Sequence, residues 1–184
     1  MTNPRILFLS SVLIFILFFV ACSEQDYEKE DIAAVLNGEE ITYEEIMWQF
    51  SLEDDLEKWV TAYLKQEIFI IEAKTQGITV TDEEKEERKE GMFPGTTASE
   101  RYELMETKEL FDSQATLLGV TPKEYYEVWE DKSHRAQAYI DKYIDEIFGR
   151  PTEGDDVDKW GQEIDEHIED LFNDYIETGK LEMK

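Results

Sequence analysis

Cysteine occurs once in the 184-residue chain, at Cys22, directly after the longest apolar run. Residues 6–20 read ILFLSSVLIFILFFV, Arg5 precedes them, and Ala21-Cys22 leads into the polar stretch SEQDYEKED. A basic start, an apolar stretch and a small residue at the cut form a secretory signal. A thiol placed immediately after such a cut is a nucleophile positioned to receive lipid. On this reading residues 1–21 are removed and Cys22 becomes the lipidated N-terminus. The protein then works at the extracytoplasmic face of the cell membrane, attached through that lipid. The alternative is an uncleaved signal anchor, for which the run falls short of the roughly 20 apolar residues a spanning helix needs. A single Cys cannot pair within the chain, so a disulfide framework is excluded.

Other chemistry-bearing residues are sparse. The two histidines, His134 and His167, show no H-x-x-x-H or H-E-x-x-H spacing and read as partly exposed helix residues. Asp156 to Gly161 (DVDKWG) imitates the opening of a calcium loop. It fails at the fifth position (Trp160) and the twelfth (His167), where oxygen ligands are required. Carboxylates are so numerous that pairs arise at any spacing, so no glycosidase pair is assigned. The run Asp82 to Glu90 reads as a solvated helix face with Glu84 and Arg88 at i, i+4. There is no G-x-S-x-G, phosphate loop or dinucleotide fingerprint, and no metal or cofactor is expected.

Aromatic residues carry the remaining potential. The chain holds four Trp, nine Tyr and ten Phe. Trp48, Trp59, Tyr63, Tyr125, Tyr126, Trp129 and Tyr139 lie on or beside apolar stripes. They either fill the core or line an open cleft, where large aromatics give sequence-tolerant contact area. Trp59, Tyr63, Tyr125, Trp129 and Tyr139 are the candidate peptide-binding residues under the second reading.

The net charge is −27. Nucleic-acid binding, which needs a basic face, is excluded as a function. Adsorption to anionic lipid headgroups is disfavoured, so membrane attachment falls to the N-terminus. Such a surface either keeps an extracytoplasmic protein soluble or steers basic and unfolded polypeptides toward it.

The elements that position these residues are well punctuated. Residues 22–31 form a charged tether and residues 32–184 one domain. Ile32 to Leu36 predicts a strand, Asn37-Gly38 a tight turn and Glu39 to Ile41 the return strand. Thr42 to Glu45 forms a capping box opening a helix to about Phe50. A second helix, either separate from the first or continuous with it, runs from about Glu53 to Gln76 and stops at Gly77. Thr81 to Glu84 opens a short charged helix to about Glu90, and Met92 to Thr96 is a loop. One helix is expected from about Ala98 to Leu118, stopping at Gly119. Thr121, Pro122 and Glu124 give N-cap, N1 and N3 of a long helix to Phe148. After a linker from Gly149 to Asp156, a last helix carries Val157, Trp160, Ile164, Ile168, Leu171 and Tyr175 at steps of three and four. Gly179 ends it, and Lys180 to Met183 is a terminal strand.

These segments carry a resemblance. Phe19-Val20-Ala21-Cys22 resembles the bacterial lipobox, with Phe in place of the usual Leu. AAVLNGEEITYEEI (33–46) resembles the opening of the SurA/PrsA-type extracytoplasmic foldases, and YLKQEIFIIEAKTQGITVTDEE (63–84) their next segment. LGVTPKEYYEVW (118–129) resembles their later turn and helix, and LFNDYIETGKLEM (171–183) their closing helix and strand. That family usually inserts a parvulin-type prolyl isomerase domain before the closing helix. Here only residues 149–156 lie between the two helices, and a domain needs roughly 50 residues. The resemblance therefore implies the chaperone domain without the enzyme.

The expected fold is mainly α: a bundle of five or six helices with a small β-sheet from both ends of the domain. The expected function is a lipid-anchored extracytoplasmic chaperone-like protein that reversibly binds unfolded or secreted polypeptides, with no isomerase activity. The rival readings are an adaptor or structural lipoprotein with one dedicated protein partner, and a degenerate peptidyl-prolyl isomerase.

Overall fold

The computed structural model describes residues 27–53 and 55–184. The signal segment and Cys22 lie outside the described residues. The end of the expected tether is structured. Tyr27 packs on Tyr43 at 4.3 Å between ring centroids. Backbone bonds from Tyr43 N to Asp31 O (3.1 Å) and from Glu44 N to Lys29 O (2.7 Å) dock residues 27–31 onto the domain.

Both ends of the domain meet in one antiparallel sheet. Strands β1 (Ile32–Leu36) and β2 (Glu39–Thr42) form a hairpin. Its two-residue loop has positive φ at Asn37 (52°) and Gly38 (86°), as the primed turn matching strand twist requires. The last strand, β3 (Leu181–Met183), pairs with the other edge of β1 through Ala34↔Met183 and Leu36↔Leu181. The order β2-β1-β3 makes β1 the central strand, and Ala33 and Ala34 are buried accordingly.

Seven helices lie among the described residues: α1 (Tyr43–Met47), α2 (Leu56–Thr75), α3 (Asp82–Met92), α4 (Ala98–Leu104), α5 (Glu109–Leu118), α6 (Pro122–Phe148) and α7 (Val157–Glu177). Helix α6 is the spine, packing against α2, α3, α4, α5 and α7. Its start is as the sequence predicts. The Thr121 hydroxyl accepts from Glu124 N, the Glu124 carboxylate accepts from Thr121 N, and Pro122 sits in the first turn. At α1 the box is half made: Thr42 accepts from Glu45 N at 3.3 Å, while the Glu45 carboxylate accepts from the Tyr63 hydroxyl instead.

Helices α1 and α2 are separate elements, with buried Leu52 in the connection between them. One expectation needs correction: the single helix expected over 98–118 is two, α4 and α5, broken where Met105 turns extended (ψ 135°). Packing explains the break. In one straight helix Tyr102 and Phe111 would stand about 13 Å apart along the axis. The bend lets both rings reach Tyr126 on α6, at 5.8 and 5.3 Å. The Tyr102 hydroxyl donates to Asp112 across the bend.

The core forms two clusters. One joins the sheet, including Leu181 of β3, to α1, the first half of α2, α5, the start of α6 and the end of α7, where Phe172 and Tyr175 are buried. The other joins the second half of α2 to the second half of α6, through Phe69, Ala73, Tyr139 and Tyr143. The start of α7 is looser: Val157 is exposed, and Trp160 is half-buried with its indole N–H on Gly149 O at 3.2 Å. Asp156 caps α7 by accepting from Lys159 N.

Candidate functional site: an apolar groove on α6

An apolar groove of about 700 Å³ runs between α6 and the segment that joins α3 to α4. One wall is built by the end of α3 and the loop after it. Helix α3 is almost wholly polar until it ends in Met92 and its C-cap Phe93. Pro94 and Gly95 (φ 69°) then turn the chain, and the Gly95 N–H donates to Glu90 Oε1 at 2.9 Å. The opposite wall is Tyr126 and Trp129, one turn apart on α6, and Leu104 and Met105 close the end of α4. Met92, Phe93 and Leu104 are 49%, 43% and 75% exposed. They leave an apolar patch in contact with water on a chain of net charge −27.

The floor is a buried ion pair. Arg101 from α4 and Glu130 from α6 are 8% and 2% exposed. The guanidinium forks onto the carboxylate, Nε donating to Oε1 at 2.6 Å and Nη2 donating to Oε2. Tyr126 Oη adds a third donor to Oε1 at 3.2 Å. The remaining Arg101 nitrogen, Nη1, donates to the Thr96 carbonyl. One residue thus ties α4 to α6 and pins the loop that forms the wall, and its guanidinium lies 5.6 Å from the Phe93 ring centroid. His134, one turn beyond Glu130, lines the same groove, and burial lowers its pKa below the ordinary imidazole value.

Trp129 does not stand alone. Phe111 meets it edge-on at 5.0 Å and meets Tyr126 at 5.3 Å, so the α6 wall is backed by an aromatic layer from α5. Such backing holds the wall rings in place.

A second, polar cleft of about 910 Å³ adjoins the groove and shares Thr96, Arg101 and Glu130 with it. Most of its cations are engaged: Lys89 contacts Glu86 and Asp131, and Arg135 reaches Asp82 at 2.6 Å. A third, smaller cleft of about 180 Å³ between α1, α2 and α6 holds Glu45, Glu67, Lys74 and Lys132. Burial raises the pKa of Glu67 above the ordinary carboxylate range, against the lowering effects of Gln66 and Lys74.

The structure brings only one of the five expected peptide-binding residues to the groove, Trp129. Tyr125 is 2% exposed and donates its hydroxyl to Met47 O at 3.1 Å, stacked on Trp48. Tyr63 is 3% exposed, edge-on to Phe50. Tyr139 is buried in the second cluster with Lys74 over its ring. Trp59 is half-buried against Phe50, away from the groove. Tyr63 and Tyr125 are core residues because they pack against α1 and the residues just after it, and Tyr139 because the second halves of α2 and α6 pack together. The residues that sequence reasoning missed are Met92, Phe93, Pro94, Leu104 and Met105. The signal for the first three was an apolar Met-Phe-Pro stretch closing a charged helix, where only a loop was expected; Leu104 and Met105 lay inside the helix expected over 98–118.

His134 and His167 lie on different helices, His167 with its Nε2 at 2.9 Å from the Tyr143 hydroxyl. No helix among the described residues is long and apolar enough to cross a membrane. Compared with protein families, curated proteins and solved structures, the chain matches none.

Proposed function

We propose that this protein is a lipid-anchored, extracytoplasmic holder of unfolded or secreted polypeptides that shields their apolar segments in the α6 groove. The observation that supports this most is the exposed apolar cluster of Met92, Phe93 and Leu104 beside Trp129, on an otherwise strongly acidic surface. Contiguous apolar exposure of this kind marks interaction sites. Two of the lining residues are methionines, whose unbranched, polarizable side chains adapt to varied partners. The buried Arg101–Glu130 floor keeps the groove open before a client arrives, which lowers the ordering cost of binding. No bond is made or broken in this mechanism. Anchoring through Cys22 would hold the groove where secreted chains emerge.

The test is binding of fluorescent apolar peptides and suppression of aggregation of a refolding client. Phe93→Ser with Leu104→Ser should weaken peptide binding at least about tenfold, the loss of roughly 1.4 kcal/mol or more of apolar contact. Both side chains are already exposed, so the melting temperature should hardly change. Unchanged binding in that variant would remove the groove from the mechanism. An X-Pro peptide assay at micromolar protein should show only the uncatalysed isomerisation rate. Acceleration that survives repurification would favour the degenerate-isomerase reading instead. A pull-down of the lipidated protein from its own envelope separates a general holder, with many secreted clients, from an adaptor with one stoichiometric partner.

A further inference from the structure

The apolar groove and the polar cleft adjoin each other, with Thr96 and the Arg101–Glu130 pair lining both. The two halves differ in kind. The first offers apolar side chains. The second carries two carboxylates, Glu90 and Glu127, that form no ion pair with any described residue. Of the described cations in that half, Lys89, Arg101 and Arg135 are each bonded to carboxylates of the protein itself, and Lys132 is the one left to oppose the free acids. An incoming anion would meet spent cations, unpaired carboxylates and a chain at −27. An incoming cation would find carboxylates that have no counter-ion.

Resting on the reading of the groove as a polypeptide holder, we infer that its preferred occupant is an extended segment with an apolar anchor followed by Lys or Arg. The anchor lies against Phe93, Leu104 and Trp129, and the basic side chain reaches Glu90 and Glu127. At ~3.3 Å per extended residue, a basic side chain three or four positions after the anchor lies about 10–13 Å from it. The pairing sets register along the cleft, and the field of the whole molecule speeds encounter. Arg101 is a positioning residue here, holding the two halves at a set distance.

Three labelled peptides sharing one apolar core test this, with Lys, Ser or Glu placed three and four positions after the anchor. Fluorescence anisotropy at low salt should give binding at least about tenfold tighter for the Lys peptide than for the Glu peptide, with the gap closing near 0.5 M salt. Glu90→Gln with Glu127→Gln should remove most of the Lys preference and leave the Ser peptide unchanged, since the amide oxygen introduced by Glu90→Gln can still accept from Gly95 N. Asp165→Asn with Asp170→Asn removes the same charge from exposed positions on α7 and should leave the preference intact. Loss of the preference in the α7 variant as well would mean that net charge alone acts, and would overturn the assignment to this cleft. Equal binding of all three peptides would overturn it while leaving the groove as a holder. Binding of none would overturn the groove reading itself.

Discussion

At the scale of single residues, the Arg101–Glu130 pair is a buried ion pair whose members depend on each other. Both members are out of water, and every oxygen of the Glu130 carboxylate has a donor. Arg101→Ala would leave the Glu130 carboxylate buried without its counter-ion, at a cost of about 3–5 kcal/mol. The double change Arg101→Met with Glu130→Leu should recover most of that, because buried pairs are often replaceable by apolar residues of similar volume. Urea melts decide it, and a cost below about 1 kcal/mol for Arg101→Ala would class the pair with exposed salt bridges. Glu67 gives a pH-dependent prediction of opposite sign to a salt-bridged acid. Burial raises its pKa, so the folded state holds the proton more tightly than the unfolded chain does. Its contribution is present below the ordinary Glu value and is lost as pH rises through the raised one. Glu67→Gln should therefore raise the melting temperature at pH 7, and the gain should vanish below about pH 4. His134 works the other way. Its lowered value means stability present above the ordinary imidazole range and lost as pH falls toward the folded-state value.

At the scale of elements, α7 and β3 close the molecule. The end of α7 is locked: Tyr175 is 2% exposed, and its hydroxyl donates to Glu72 Oε1 on α2 at 2.6 Å. β3 supplies one of the two neighbours of the central strand. Deleting residues 157–184 removes buried Phe172, Tyr175 and Leu181 together, each worth roughly 1.5–3 kcal/mol or more when fully buried, against a total stability of about 5–15 kcal/mol. A chain ending at Asp156 should show no cooperative melt by circular dichroism. A cooperative melt near the full-length temperature would make the closing helix an appendage. The same element separates two aromatic substitutions. Tyr175→Ala should be severe, about 3–5 kcal/mol, because the cavity it leaves is buried. Trp160→Ala, on the same stripe, should cost clearly less, since Trp160 stays half-exposed at the loose start of α7.

At the scale of the whole molecule, the acidic surface and the apolar groove act together. Like charge keeps copies of the chain apart, so an exposed apolar patch need not cause self-association at low salt. Raising salt to about 1 M, where the Debye length falls to about 3 Å, should increase self-association measured by light scattering. Phe93→Ser with Leu104→Ser should abolish that increase. Salt-induced association that persists in the double variant would place the sticky surface elsewhere. Attachment belongs to the same scale. Mass spectrometry of the mature protein should begin at a lipidated Cys22, and retention of residues 1–21 would refute the lipoprotein proposal.

Local chemistry, read from sequence alone, determined most of the elements. The Asn37-Gly38 turn, the Thr81 and Thr121 boxes, Pro122 and the glycine stops are signals within a few residues of the boundaries they set, so they act before any tertiary contact forms. The mainly helical content followed from them, whereas the joining of both ends in one sheet is a pairing between distant segments that no local signal sets. What only the tertiary structure decided was where helices break for packing and which aromatics remain in reach of a partner. The 98–118 segment has helical periodicity throughout, and it bends because Tyr102 and Phe111 must both meet Tyr126. Tyr63, Tyr125 and Trp129 read alike along their stripes, yet the first two face α1 and neighbouring core residues while Trp129 faces the gap beside α4. Burial is a property of the space between elements. A periodic pattern reveals that a helix has an inner face, but not which part of that face its neighbours leave uncovered.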